Sequence, residues 1–220
     1  MPRMSRLIIP GFPHHVTQRG VRSMDIFPDD DARLAYLQFL SEEARRFGVQ
    51  FLSWCLMTNH VHFIAIPNES SALARAFGEA HRRYTRMRNF QEGVRGYLFQ
   101  GRFGSCVLDE RHLFAAVRYV ERNPVKAGIV SHPRDYHWSS ARFHLGISET
   151  DMMVADRTLL GLVSDWEDLL SSENEEESER LRLSTRTGRP AASDDFAEKV
   201  EKLTGRDPRP RKPGRPRKGE

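Results

Sequence analysis

Along this chain, short apolar runs with a period of two alternate with longer stripes of helical spacing. Residues 14–19, His-His-Val-Thr-Gln-Arg, read as a first strand, entered through Pro10-Gly11-Phe12-Pro13 and left at Gly20. Asp29, Asp30 or Asp31 then caps a helix reaching about Phe47, with Leu34, Leu37, Phe39, Leu40 and Phe47 on its buried stripe and Gly48 as its stop. Val49 to Met57 predicts a second strand, Thr58-Asn59 a tight turn, and His60 to Ile66 the third strand of a hairpin. Ser70 or Ser71 caps a second helix through about Asn89, basic on its later turns. A glycine-punctuated aromatic segment, 93–104, leads into a short strand around Ser105 to Leu108. Asp109 caps a third helix, with Leu113, Phe114, Val117 and Val120 as apolar positions and Pro124 as its expected end. This β-α-β-β-α-β order plus one helix is the split-βαβ, ferredoxin-like pattern. It predicts an α+β fold, a four-stranded antiparallel sheet with helices on one face.

After Tyr136-His137-Trp138-Ser139-Ser140 the pattern changes. Short helices are expected within 150–172, an acidic linker with helical stretches from Ser171, and at most a short helix from Phe196 to Leu203. The chain thus divides into a domain at 1–146, an acidic, partly helical extension at 147–204 and a basic tail at 205–220. The tail, rich in Pro and Arg, is expected to be disordered by itself.

Composition narrows the class. With 220 residues, 39% of them hydrophobic, the chain can build one well-buried domain with appendages. No apolar run approaches a membrane span and no signal-peptide pattern opens the chain, so a cytoplasmic protein without a membrane partner is expected. Cys55 and Cys106 fall in predicted strands and read as small hydrophobes. Net charge is +4, but residues 165–179 carry eight acidic side chains and no basic one, while 206–218 carry seven basic side chains against one Asp. A polyanion, most simply nucleic acid, fits the basic end; the acidic block reads as a solvated linker.

Candidate chemistry starts at His60-Val61-His62. On a strand both imidazoles point the same way, so they can either grip one divalent cation or simply pack. On the third helix, Tyr119 and Asn123 are four residues apart and share a face. Asn123 can complete a metal site begun by the histidines, with Tyr119 beside it. Mg²⁺ or Mn²⁺ there would polarise a phosphoryl oxygen and let the tyrosine attack, leaving a covalent phosphotyrosine. The alternative for Tyr119 is packing on the sheet, and Tyr84 is a competing nucleophile. Arg19, Arg22, Arg82, Arg83, Arg86 and Arg102 are candidates for phosphate pairing, and Tyr97, Phe99 or Trp138 for base stacking. A histidine-triad hydrolase would need a third histidine where the chain has Ile64.

Taken together, Trp54-Cys55-Leu56-Met57-Thr58-Asn59 before His60-Val61-His62, Tyr119-Val120-Glu121-Arg122-Asn123-Pro124-Val125-Lys126-Ala127-Gly128, and Tyr136-His137-Trp138-Ser139-Ser140 resemble the REP-associated tyrosine transposases. His15-Val16-Thr17-Gln18-Arg19-Gly20 and Leu98-Phe99-Gln100-Gly101-Arg102-Phe103 fit the same pattern, and the resemblance covers about residues 3–146. It implies a ferredoxin-like domain of the His-hydrophobic-His (HUH) type acting on single-stranded DNA with palindromic hairpins, as a monomer or homodimer. It implies His60, His62 and Asn123 as metal ligands and Tyr119 as the nucleophile that takes the 5′-phosphate and releases a 3′-hydroxyl. The alternative is a DNA-binding protein of that fold without turnover. The tail segment Pro213-Gly214-Arg215-Pro216-Arg217-Lys218 resembles an AT-hook, with Arg215 lying in a minor groove, though Pro213 stands where that pattern has Arg.

Overall fold

A computed structural model describes residues 6–155 and 157–209. Four strands, β1 (His14–Arg19), β2 (Val49–Leu56), β3 (His60–Pro67) and β4 (Gly104–Val107), form one antiparallel sheet in the order β2-β3-β1-β4. The helices α1 (Asp30–Phe47) and α2 (Ala72–Glu92) connect them in the split pattern expected, and α3 (Glu110–Lys126) follows β4. No helix among the described residues is long and apolar enough to cross a membrane.

Period-two alternation sorts the sheet into two faces. Val16, Val61, Phe63 and Ala65 point to α1 and α2, joining Tyr36, Leu37, Leu40, Phe77 and Tyr84 in a sealed core. Leu34, expected in this stripe, is instead exposed, because the buried face runs through Ala32, Tyr36, Leu40 and Ala44. The Asp29 carboxylate caps α1 by accepting from Ala32 N at 2.8 Å. Ser71 precedes α2 but makes no side-chain cap bond. At Gly48 the α1 helix ends in the left-handed region (φ 66°), and a Cβ there would collide with the Asn68 side chain.

The opposite face carries Cys55, Ile64 and Cys106, covered by Ala116, Val117 and Val120 of α3. Pro124, expected to end this helix, lies inside it, and α3 continues to Lys126. A proline in the last turn forfeits one backbone bond while Ala127 N still reaches Asn123 O at 2.9 Å.

The extension shares this second face. After α4 (Ala141–His144) come α5 (Thr158–Leu162), α6 (Trp166–Ser171), α7 (Glu175–Thr187) and α8 (Asp194–Thr204). Leu159, Trp166, Leu170 and Leu181 enter the same apolar cluster as α3. The stretch from Ser171 carries the helix expected of it in α7, but it is packed against α3 rather than being a solvated linker. Its carboxylates match a cationic row on α3: Glu177 pairs with Arg118, Glu173 with Arg122 at 3.9 Å, and Glu175 with Lys126. Three acids in its first turn also complement the α7 dipole. Further on, Ala191 N donates to Val107 O at 3.0 Å and pairs with the open edge of β4.

Candidate active site

The second face is only partly filled. Between β1, β3, β4, α3 and α7 lies a cavity of about 770 Å³ lined by His15, His60, His62, Tyr119, Asn123 and Arg182, among others. Strand register brings the histidines together: Thr17 opposes His62 and Arg19 opposes His60, which leaves His15 diagonal to His62. Their rings stack 5.2 Å apart, and Tyr119 meets both edge-on, 5.5 Å from His62 and 5.8 Å from His15. The His60 and His62 ring centres are 5.0 Å apart.

Hydrogen bonds fix which nitrogen of each ring holds a proton. The Thr185 hydroxyl has one hydrogen, and it donates to Leu181 O at 2.8 Å. Thr185 must therefore accept from His15 Nδ1, 2.7 Å away. In the neutral ring, His15 Nε2 is then the acceptor for His62 Nδ1–H at 2.9 Å. His60 Nδ1 likewise donates to Asn59 Oδ1 at 2.6 Å. In both His60 and His62 the lone pair sits on Nε2. Burial drives these rings to the neutral form: His15 falls to about 3, and His60 to about 4 with help from the Arg19 charge. His62 is held well below the usual histidine value by burial and by its cationic and imidazole neighbours.

Asn123 Nδ2 donates to Tyr119 O at 2.8 Å, which ties the amide to its own helix and leaves Oδ1 as its free lone-pair atom. Two neutral Nε2 donors and one amide oxygen suit a divalent cation that accepts mixed N and O ligands. Among the described residues there is no cluster of three or more His, Cys, Asp or Glu side chains placed for a metal. The candidate set therefore depends on the amide.

The helix bearing Tyr119 is pinned from below. Buried Glu121 accepts from Ser53 Oγ at 3.0 Å and from Ser140 Oγ at 2.5 Å, and it meets His144 Nδ1 at 2.6 Å. Above, the Arg182 guanidinium lies 5.6 Å from the Tyr119 ring centre. Burial pulls the Arg182 pKa down, but Tyr119, Glu175 and Glu179 outweigh it and the net shift is upward. Gly104 lets α7 come this close, since a Cβ there would press on Thr185 at 3.3 Å.

The other sequence candidates scatter. Tyr84 is fully buried, donates to Ile26 O at 2.7 Å, and burial raises its pKa. Arg19 and Arg102 line the cavity, and Arg22 is exposed in a short 3-10 turn nearby. Arg83 is not at the site: it pairs with Glu42 and Glu43 at 2.7 Å and stacks on Phe39. Arg86 lies on α2 beside a second groove. Phe99 is buried against His81, Trp138 is half-buried under Arg33, and Tyr97 is exposed. Arg215 and the AT-hook-like segment lie outside the described residues.

His15, Thr185 and Arg182 are the contributions that sequence reasoning missed. His15 shares strand parity with Thr17 and Arg19 and could have been found from the register; the two α7 residues had no such signal.

A family model described as "Transposase IS200 like" matches residues 14–123, which include His60, His62, Tyr119 and Asn123. The chain belongs to the IS200-like transposase family. This transposase is also similar in fold to a REP-associated tyrosine transposase solved bound to a REP hairpin, with a TM-score of 0.54 and 17% identity. That match covers 71% of this chain and 92% of the other. A candidate transposase from Deinococcus radiodurans R1 is more distant, with a TM-score of 0.39 and 16% identity over 55% of this chain and 97% of that one. Comparison with curated protein sequences returns no match.

Proposed function

We propose that this transposase cleaves and rejoins single-stranded DNA through a covalent Tyr119–5′-phosphate intermediate. The observation that carries the reading is the contrast of its two candidate tyrosines. Tyr119 stands against the His15–His62 pair on an open cavity, whereas Tyr84 is sealed in the core.

His60 and His62, through Nε2, and Asn123, through Oδ1, would hold Mg²⁺ or Mn²⁺. A bound divalent ion supplies Lewis-acid polarisation of the scissile phosphate and favours the phenolate. The Tyr119 oxygen forms a bond to phosphorus as the bond from phosphorus to the 3′-oxygen breaks, and that oxygen leaves as a hydroxyl after taking up a proton. One phosphodiester is exchanged for another ester, so a 3′-hydroxyl can reverse the step without an energy source. Arg182 adds positive charge beside the developing phenolate. Arg19, Arg22 and Arg102 would pair with phosphates near the cavity.

The hairpin substrate is supported by the fold shared with a relative solved on a REP hairpin. The test mixes end-labelled hairpin oligonucleotides from palindromic repeats with protein in Mn²⁺ or EDTA. A covalent protein–DNA band is expected that requires metal, disappears in Tyr119→Phe and His60→Ala, and persists in Tyr84→Phe. Tight hairpin binding with no covalent product under any metal would make this a DNA-binding protein instead.

A further inference from the structure

A second groove, of about 1,020 Å³, runs between α2 and the 93–103 segment. It shares Arg6, Gln18, Arg102 and Phe103 with the active-site cavity, so the two adjoin near the end of β1. Its rim is unusually apolar for a surface. Phe90 is 88% exposed and Tyr97 is 90% exposed, with Val94 between them at 50%. Single exposed hydrophobics need no explanation, but two nearly bare aromatic rings on one groove do.

The charge around them is of one sign. Arg6, Arg82, Arg86, Arg95 and Arg102 line the groove and no acidic side chain does. Arg82 is tied to Glu79 at 2.9 Å, but Arg86, Arg95 and Arg102 have no carboxylate partner among the described residues. The loop is not slack, since Asn89 Nδ2 donates to Gly96 O at 3.0 Å and holds it against α2.

We infer that this groove binds the unpaired stretch of the DNA strand leading to the scissile phosphate, with bases stacked on Tyr97 and Phe90 and phosphates on Arg86, Arg95 and Arg102. Aromatic faces open to solvent match bases whose faces are free, and a duplex hides those faces inside its own stack. Arginines without a carboxylate partner among the described residues match the phosphates of the same strand. Arg102, on both cavities, marks where the strand would turn towards Tyr119. The inference rests on the proposed single-stranded substrate and adds where, and by which side chains, its unpaired part is held.

The test is fluorescence anisotropy in EDTA, which uncouples binding from cleavage. The probes are a labelled twelve-nucleotide single strand and the same strand annealed to its complement. Phe90→Ala/Tyr97→Ala should weaken single-strand binding by at least about tenfold and leave the duplex unchanged. Tyr97→Trp should restore part of the loss. Arg86→Ala/Arg95→Ala should lower the salt slope on the single strand by about 1.4, at about 0.7 per phosphate contact. A 2-aminopurine in the strand should be quenched by wild type and not by the aromatic variant. Equal binding of both probes by wild type and the aromatic variant would overturn the inference. So would a dimer that dissolves on Phe90→Ala, which would make the patch a contact between copies. Because adduct formation at Tyr119 is scored separately, groove variants without effect in a protein that forms the adduct defeat only this inference. Groove-dependent binding without an adduct defeats only the catalytic reading.

Discussion

The two faces of one sheet obey the same alternation yet have opposite characters. Towards α1 and α2, the apolar side chains of β1 and β3 are met by other apolar groups; Val16, Val61, Phe63 and Ala65 are completely buried. Towards α3 and α7, the intervening positions bring His15, His60, His62 and Thr17 to a cavity. One face is sealed throughout, while the other is apolar under α3 and opens into a polar cavity at its histidine end. Each face also holds a tyrosine, one locked and one available, and the difference lies in what surrounds the hydroxyl.

Neighbouring residues give the sharpest way to break this contrast. Phe63→Ala removes a fully buried ring and should cost about 3–5 kcal/mol of stability, read by denaturant unfolding. His62→Ala, one residue away on the other face, should keep a folded protein and lose the covalent DNA adduct. Equal destabilisation by the two would show that the polar face is structural as well.

Acid probes one histidine on each side of the sheet, His15 buried beside the cavity and His81 half-buried on α2. His15 and His81 have their folded pKa values lowered to about 3 from 6.5, mainly by burial, so the unfolded chain binds more protons below pH 6.5. The stability they contribute is complete above pH 6.5 and is lost as pH falls towards 3. By pH 4 buried His15 should have cost about 3 kcal/mol, from about 1.4 kcal/mol per pH unit, and half-buried His81 less. Circular dichroism should show a melting temperature falling steadily from pH 6.5, and His81→Phe should blunt the fall. A melting temperature flat to pH 4 would contradict the burial of these rings.

A smaller effect tests the chain of hydrogen bonds from the extension. Thr185→Val keeps shape but removes the acceptor for His15 Nδ1–H, and with it the constraint on the His62 tautomer. Calorimetry without DNA should find Mn²⁺ binding about tenfold weaker, as for other supports of metal-bound histidine. Unchanged affinity would leave α7 as packing alone. Smallest of all, Tyr84→Phe should cost about 1 kcal/mol for its bond to Ile26 O and leave adduct formation untouched.

How far the site could be read in advance depended on where its parts lie along the chain. His60 and His62 are two apart on a strand, and Tyr119 and Asn123 four apart on a helix, so local geometry places each pair on one face. Asp29, Gly48 and Asp109 mark element ends by their own backbone chemistry and act as expected. Pro124 misled because its cost is small in a last turn. Arg83 looked like a free cation because nothing in its neighbourhood announces Glu42 and Glu43, forty residues earlier on the preceding helix α1.

The sequence by itself determined the strand and helix order, the split pattern, and the pairs of polar residues that share a face. These follow from periods of two and 3.6, which are properties of neighbouring residues. Tertiary structure alone decided that the acidic block packs on the domain, because its carboxylates find Arg118, Arg122 and Lys126 only once α3 is in place. It alone put Thr185 behind His15 and Arg182 above Tyr119, and sealed Tyr84 away. Contacts between residues far apart in the chain are set by packing and charge in three dimensions, and no local period records them.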